Sequence, residues 1–247
     1  MRDKPELFYV RPQDVSGEYV SLKKDEFHHL VHVCRKGRGD TFLAADGQAN
    51  VYECQIERLG RSGLQARIIK KRKFMGEPAF QLTLALAVPK KERFEWVIEK
   101  ATEIGVSKLI PLTTRRTIAH KKSLNYQRCS RIAMAAMKQC QRSLLPTVEP
   151  MQDFCTVCET AVGELKLLAH EKEPQIRLEA ILKNPGVGHA KSGIVCIGPE
   201  GGFTEEEVAF ALAHGYAIFG IGPRRLRSET AALVAATLIL DKMGELS

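Results

Sequence analysis

Two hydrophobic patterns divide the chain. Up to about residue 72, apolar positions fall in short, partly alternating runs at Thr41–Ala45, Val51–Leu59 and Leu64–Ile69, punctuated by Gly or Asp. Runs of this kind predict β-strands with one buried face. One stretch has helical spacing instead: from Lys24 onward, Phe27, Leu30 and Val31 share a face. Lys70-Lys71-Arg72-Lys73, followed by Gly76 and Pro78, breaks the pattern and predicts a linker.

Beyond that linker the periods alternate. Leu82–Val88 is a continuous apolar run, as expected of a strand buried on both faces. Lys108–Leu112, Leu165–Ala169, Ile194–Ile197 and Ala217–Ile221 predict further strands. Glu92–Ile104, Tyr126–Arg142, Thr204–His214 and Glu229–Met243 predict helices. The first helix carries Trp96, Val97, Lys100, Ala101 and Ile104 at helical spacing, and Phe94 and Trp96 are expected in the core. Strands alternating with helices predict an α/β domain with a parallel sheet, whose ligands bind at the carboxyl ends of the strands. The expected division is a small β domain over residues 1–72 and an α/β domain over 73–247.

Charge adds a candidate partner. The 247 residues carry 37 Lys and Arg against 29 Asp and Glu, a formal net charge of +8. Between Ile104 and Val148 there is no acid, while nine bases occur: Lys108, Arg115, Arg116, Lys121, Lys122, Arg128, Arg131, Lys138 and Arg142. A basic block without acids builds a positive potential suited to a polyanion. The N-terminal part is also basic, with 15 bases against 10 acids up to Gly76. No apolar run approaches the ~20 residues of a membrane span. The first residues lack the apolar core of a secretory leader, so a cytoplasmic protein without membrane attachment is expected. Seven cysteines, an odd number at irregular spacing, fit reduced thiols. His28, His29 and His32 near Cys34, and the Cys155-Thr156-Val157-Cys158 pair, lack a second ligand cluster of zinc spacing, so no metal is expected.

Two strand-to-helix segments carry the candidate chemistry. The first is Gly198-Pro199-Glu200-Gly201-Gly202-Phe203, then Thr204-Glu205-Glu206-Glu207. Thr204 with Glu207 forms a capping box that specifies a helix start. The glycines let the backbone approach a ligand closely. The loop lacks the Gly-Lys-Ser/Thr of a phosphate-binding P-loop and the spacing of a dinucleotide loop. Three acids after it disfavour a phosphate and favour a cationic or neutral ligand. On spacing alone it reads equally as a tight turn with a good cap. The second segment is Ile221-Gly222-Pro223-Arg224-Arg225-Leu226-Arg227-Ser228-Glu229-Thr230-Ala231, with Ser228 as candidate N-cap. Arginines crowded at a strand's carboxyl end call for an anion.

Together these segments resemble the SPOUT superfamily of methyltransferases, and most closely the bacterial family that methylates N3 of a uridine in small-subunit ribosomal RNA. The resemblance runs over nearly the whole chain. Phe8-Tyr9, His29 to Arg35 with Gly39-Asp40, Lys100 to Val106, and Ala136, Gln139, Arg142 and Pro146 fit its pattern. Gly198–Gly202 and Leu226–Ala231 are its most specific parts, and both are intact. The chain departs from the pattern at Arg115, Ala135, Lys138, Cys140 and Arg225.

The resemblance implies a C-terminal domain with a deep trefoil knot, a PUA-like N-terminal β-barrel, a homodimer, and S-adenosylmethionine as cofactor. Cofactor contacts are then expected from Ala169, Gly198, Pro199, Glu200, Gly201, Gly202, Ile221, Gly222, Leu226, Arg227, Thr230 and Ala231, with His170 nearby. Contacts to ribosomal RNA are expected from Arg11, His32, Arg35, Lys36, Arg38, Arg115, Arg116, Lys121, Lys122 and Arg142. Uridine N3 holds a proton at neutral pH, so the site needs a base or a cation that stabilises the uridine anion. Arg227 is the candidate cation, and Glu200 and Glu229 are the candidate bases, with no choice between them. Action on another RNA atom, such as a ribose 2′-hydroxyl, and a non-catalytic RNA-binding module are the competing readings.

Overall fold

The computed structural model describes residues 6–117, 124–171, 176–183 and 187–246. The chain forms two compact units, Met1–Glu77 with Met134–Leu145, and Pro78–Ala133 with Pro146–Ser247.

The first unit is a six-stranded sheet. It contains β1 (Leu7–Tyr9), β2 (Val15–Ser16), β3 (Tyr19–Lys23), β4 (Thr41–Ala45), β5 (Asn50–Leu59) and β6 (Gly63–Lys73), in the order β1-β4-β5-β6-β3-β2. Only the β1–β4 pairing is parallel. Alternation buries one set of residues: Val20 and Leu22 on β3, Cys54 and Ile56 on β5, and Leu64 and Ala66 on β6. The short helix α1 (Lys24–His28) runs into one π-helical turn over His29–Val33 and adds Phe27 and Leu30 to that core.

The expected linker at Lys70–Lys73 is strand instead. Val51, Tyr52 and Glu53 pair with Arg72, Lys71 and Lys70. The basic side chains conceal the period because they lie on an exposed strand end. Arg72 pairs with Glu53 at 3.3 Å, and the Lys71 ammonium lies 5.4 Å from the Tyr52 ring centre. Met134–Leu145 belongs to this unit by packing: Met137 is buried with Leu7, Leu43, Ala45 and Val51.

The second unit is a parallel α/β sheet. Its strands are β7 (Gln81–Ala87), β8 (Lys108–Thr113), β9 (Thr147–Val148), β10 (Gln152–Asp153), β11 (Leu165–Ala169), β12 (Ser192–Ile197) and β13 (Ala217–Phe219). They run in the order β10-β8-β7-β12-β11-β13, with β9 also on β8. Every pairing is parallel. Its helices are α2 (Lys91–Ile104), α3 (Tyr126–Cys140), α4 (Phe154–Thr160), α5 (Leu178–Leu182), α6 (Glu205–Ala213) and α7 (Ser228–Lys242), and the second half of α3 belongs to the first unit. On one face Phe154, Val157, Phe203 and Ala211 pack on Ile110, Leu168, Ile194 and Cys196. The mixed α/β class with a parallel sheet, expected from the alternating periods, is what the structure has.

Trp96 departs from expectation, being 44% exposed. The buried stripe of α2 is Phe94, Val97, Ile98 and Ala101. At 3.6 residues per turn Trp96 points to the opposite side of that stripe.

Candidate active site

The register of the sheet builds the site. Ala169, the last residue of β11, is level with Ile197, the last of β12, and with Phe219, the last of β13. Three carboxyl ends therefore stop at one height, and the segments that leave them enclose a pocket of about 740 Å³, open mouth included. Its walls include Ala169, His170, Ile197, Gly198, Pro199, Glu200, Gly201, Gly202, Ile221, Gly222, Leu226 and Ala231. Ten of the twelve residues expected to hold the cofactor are thus brought together. Arg227 and Thr230 are exposed and stand outside the wall.

Glycine is required here for two separate reasons. Gly202 has φ +68°, the left-handed region that side chains disfavour. A β-carbon on Gly198 would sit 3.1 Å from the Phe203 ring, which fills the core beneath the loop. The capping box forms as the spacing predicts. The Glu207 amide donates to Thr204 Oγ1 at 3.2 Å, and the Thr204 amide donates to Glu207 Oε2 at 2.8 Å. Glu207 does more than cap, because Oε1 also accepts from the Arg115 amide at 2.8 Å. That second bond ties the end of β8 to the start of α6. Beside it, the Glu206 carboxyl is held below its usual range by the Thr204 hydroxyl first, with Arg115 and Arg116 adding to the effect.

At the second junction Arg227, not Ser228, is the N-cap, and no side chain closes the cap. Ser228 is buried in the first turn, with its hydroxyl 3.4 Å from Glu229 Oε2. Glu229 is buried outside the pocket wall, 3.4 Å from Arg93 Nη1, while Glu200 is exposed in its loop and lies 3.7 Å from the same nitrogen. Arg225 spans the mouth: Nη2 donates to the Glu200 carbonyl at 2.7 Å, and Nε is 3.6 Å from Glu171. Among the described residues the Arg227 guanidinium forms no hydrogen bond or ion pair, so it is available to a ligand. Arg93 and Glu171 were not singled out from the sequence. Arg93 carries no local signal, since it sits more than 100 residues from the acids that it meets.

The residues expected to meet RNA separate into groups. Arg11 is exposed and donates to Asp14 at 2.6 Å, and His32, Arg35 and Arg38 are exposed, with Lys36 half-buried. Arg115 is exposed, 3.8 Å from Glu206. Arg116 reaches back to the Gly201 carbonyl and lines the pocket, so it borders the glycine loop. Lys121 and Lys122 lie outside the described residues. Arg142 requires correction. It is 2% exposed and bonded to Glu77 at 2.8 Å and 3.1 Å. Glu77 also accepts from the Ser143 and Leu144 amides, so Arg142 completes a buried knot of polar bonds and offers no charge to a phosphate.

A parallel α/β sheet with a glycine-loop pocket at its carboxyl ends, on a chain that also carries a separate basic β unit, describes an enzyme class, and comparison identifies it. Residues 76–240 match the RNA methyltransferase domain family, and residues 22–69 match the RNA methyltransferase PUA domain family. The chain belongs to this RNA methyltransferase family. It is 32% identical to a ribosomal RNA small subunit methyltransferase E from Synechocystis sp., over 93% of this chain and 75% of that protein. A crystal structure of a ribosomal RNA small subunit methyltransferase E from Neisseria gonorrhoeae has the same fold, with a TM-score of 0.84 at 24% identity over 96% of this chain and 98% of that one. A Legionella pneumophila protein solved with its cofactor S-adenosylmethionine superposes with a TM-score of 0.80 at 26% identity, over 96% and 98%.

Proposed function

We propose that this RNA methyltransferase uses S-adenosylmethionine to methylate N3 of a uridine in small-subunit ribosomal RNA. The observation that carries the reading is the pocket itself. It joins the glycine loop to the Leu226–Ala231 segment, in which Arg227, between the lining residues Leu226 and Ser228, has no hydrogen-bond or ion-pair partner among the described residues. The lining fits the cofactor. Gly198, Gly201 and Gly202 keep side chains out of the space, and Ile197, Ile221, Leu226 and Ala231 give an apolar wall. Glu171 and Glu200 add negative charge where a sulfonium would be welcome. The Legionella relative, alike over nearly the whole chain, is a cofactor complex, and the Synechocystis relative is named for small-subunit ribosomal RNA.

The bound cofactor supplies an electrophilic methyl group. The protein's part is to hold the acceptor in line, which can supply up to ~7–11 kcal/mol of the barrier. Arg227 stabilises the uridine anion at O2 or O4 once the N3 proton leaves, because its guanidinium remains charged. Glu200, exposed at the mouth, is better placed than the buried Glu229 to accept that proton. Arg115, Arg35, Arg38 and Lys36 supply positive charge to the RNA backbone. The working unit is a homodimer in the cytoplasm. No described helix is long and apolar enough to cross a membrane.

The test is nucleoside analysis of ribosomal RNA from a strain lacking this gene, before and after complementation. The expected result is one 3-methyluridine that is missing in the first sample and restored in the second. Restoration of a 2′-O-methyl nucleoside instead would overturn the assignment of the acceptor atom.

A further inference from the structure

We infer that Arg93, a half-buried side chain, is a positioning residue: it clamps the two pocket segments together through the buried Glu229 and the exposed Glu200. The inference rests on the reading of this pocket as the cofactor site. Arg93 lies in the first turn of α2, whose Phe94, Val97, Ile98 and Ala101 are buried and fix the helix in place. Its Nη1 stands 3.4 Å from Glu229 Oε1 and 3.7 Å from Glu200 Oε1. These acids sit on different segments: Glu200 between Pro199 and Gly201, and Glu229 in the first turn of α7.

Burial decides which contact matters more. The Glu229 side chain is only 9% exposed, and among the described residues Arg93 is the one cation paired with it. A carboxylate removed from water needs such a partner. The Ser228 hydroxyl at 3.4 Å is a weak addition. Glu200, at 54% exposed, keeps most of its hydration. Arg225 links the same two segments at the Glu200 carbonyl, but its side chain is 71% exposed, where pairing contributes little. Without Arg93, two carboxylates would face each other across the join with no cation between them. The segments would then part, and the pocket they enclose would lose its shape. Arg93 does not line the pocket, so it acts through these acids and not on the cofactor.

Three variants test this. Arg93→Met keeps the apolar stem and removes the charge, Arg93→Lys keeps a point charge, and Arg93→Met with Glu229→Gln removes the charge from both partners. Calorimetry with S-adenosylmethionine and urea unfolding without it are measured on each. Arg93→Met is expected to weaken cofactor binding about tenfold or more, with Arg93→Lys in between. The double variant is expected to recover most of the loss, in affinity and in unfolding midpoint, because no carboxylate is then stranded at the buried site. Wild-type affinity in Arg93→Met overturns the inference, and so does a double variant no better than the single one. If Arg93→Met does not fold, unchanged affinity in Arg93→Lys overturns it and weakened affinity supports it. Failure of the wild type to bind the cofactor would overturn the cofactor reading instead, and the unfolding midpoints would still decide whether the clamp exists.

Discussion

Between β12 and α6 the chain closes on itself, with Thr204 and Glu207 exchanging bonds across three residues. Between β13 and α7 it does not: the cap at Arg227 has no side-chain bond, and the buried Glu229 depends on Arg93 from a distant helix. Both junctions leave a strand at the same height and wall the same pocket. One is capped by its own residues, and its capping Glu207 also holds the Arg115 amide. The other leaves its arginine without a partner among the described residues and is held from outside. The Arg227 guanidinium has no acceptor atom and cannot close the cap, so this junction is tied down from elsewhere in the fold, through Arg93 and Glu229.

The comparison is broken most severely at the cation itself. Arg227→Ala is expected to lower the single-turnover methylation rate by about 10²–10³, the loss typical of removing a donor to a developing anion, with little change in cofactor affinity. The rate should recover as pH rises and uridine ionises unaided. An unchanged rate at every pH would return Arg227 to a structural role.

Next in size is the locally closed junction. Glu207 is 3% exposed and accepts from two backbone amides, at Thr204 and Arg115. Glu207→Ala strands both donors and should cost roughly 2–4 kcal/mol in urea unfolding. Thr204→Ala removes only the cap and should cost about 1 kcal/mol. Ser228→Ala at the other junction, where no side-chain cap exists, should cost less than about 0.5 kcal/mol. Equal losses for Thr204→Ala and Ser228→Ala would erase the distinction between the two junctions.

A separate test is the response to alkali. Burial pushes the Cys54 and Cys158 thiols up to about 12. In the unfolded chain they ionise near 9.0. Above that pH the unfolded state releases protons that the folded state keeps, so folding stability should fall as pH rises from about 9 toward 12. Below pH 9 these groups contribute no slope. A stability that rises through this window, measured by urea midpoints in a Cys54→Ala and Cys158→Ala background as control, would contradict the burial of the thiols.

Much of this arrangement was legible in the sequence, and the parts that were not share a cause. Local signals succeeded. The runs at Thr41–Ala45 and Leu165–Ala169 are strands with those bounds, and the Thr-x-x-Glu spacing at Thr204 is a capping box. Residues that line the pocket as backbone, such as Gly198 and Gly202, announced themselves by composition. Partners made by tertiary contact did not. Arg142 looked like surface charge because nothing near it reveals Glu77, 65 residues earlier. Arg116 looked like part of a basic block until the fold carried it to the Gly201 carbonyl. Lys70–Lys73 looked like a linker because an exposed strand end tolerates any polar side chain.

The most direct test of the central claim joins the glycine loop to the chemistry. Gly202→Val places a β-branched side chain at φ +68° in the pocket wall. Wild type and variant, each checked for fold by circular dichroism, are incubated with S-adenosylmethionine and unmethylated small-subunit ribosomal RNA, and the nucleosides are analysed. Wild type should form 3-methyluridine, and the folded Gly202→Val variant should form almost none because it has lost the cofactor. Equal yields from the two would show that the methyl group is transferred somewhere other than this pocket.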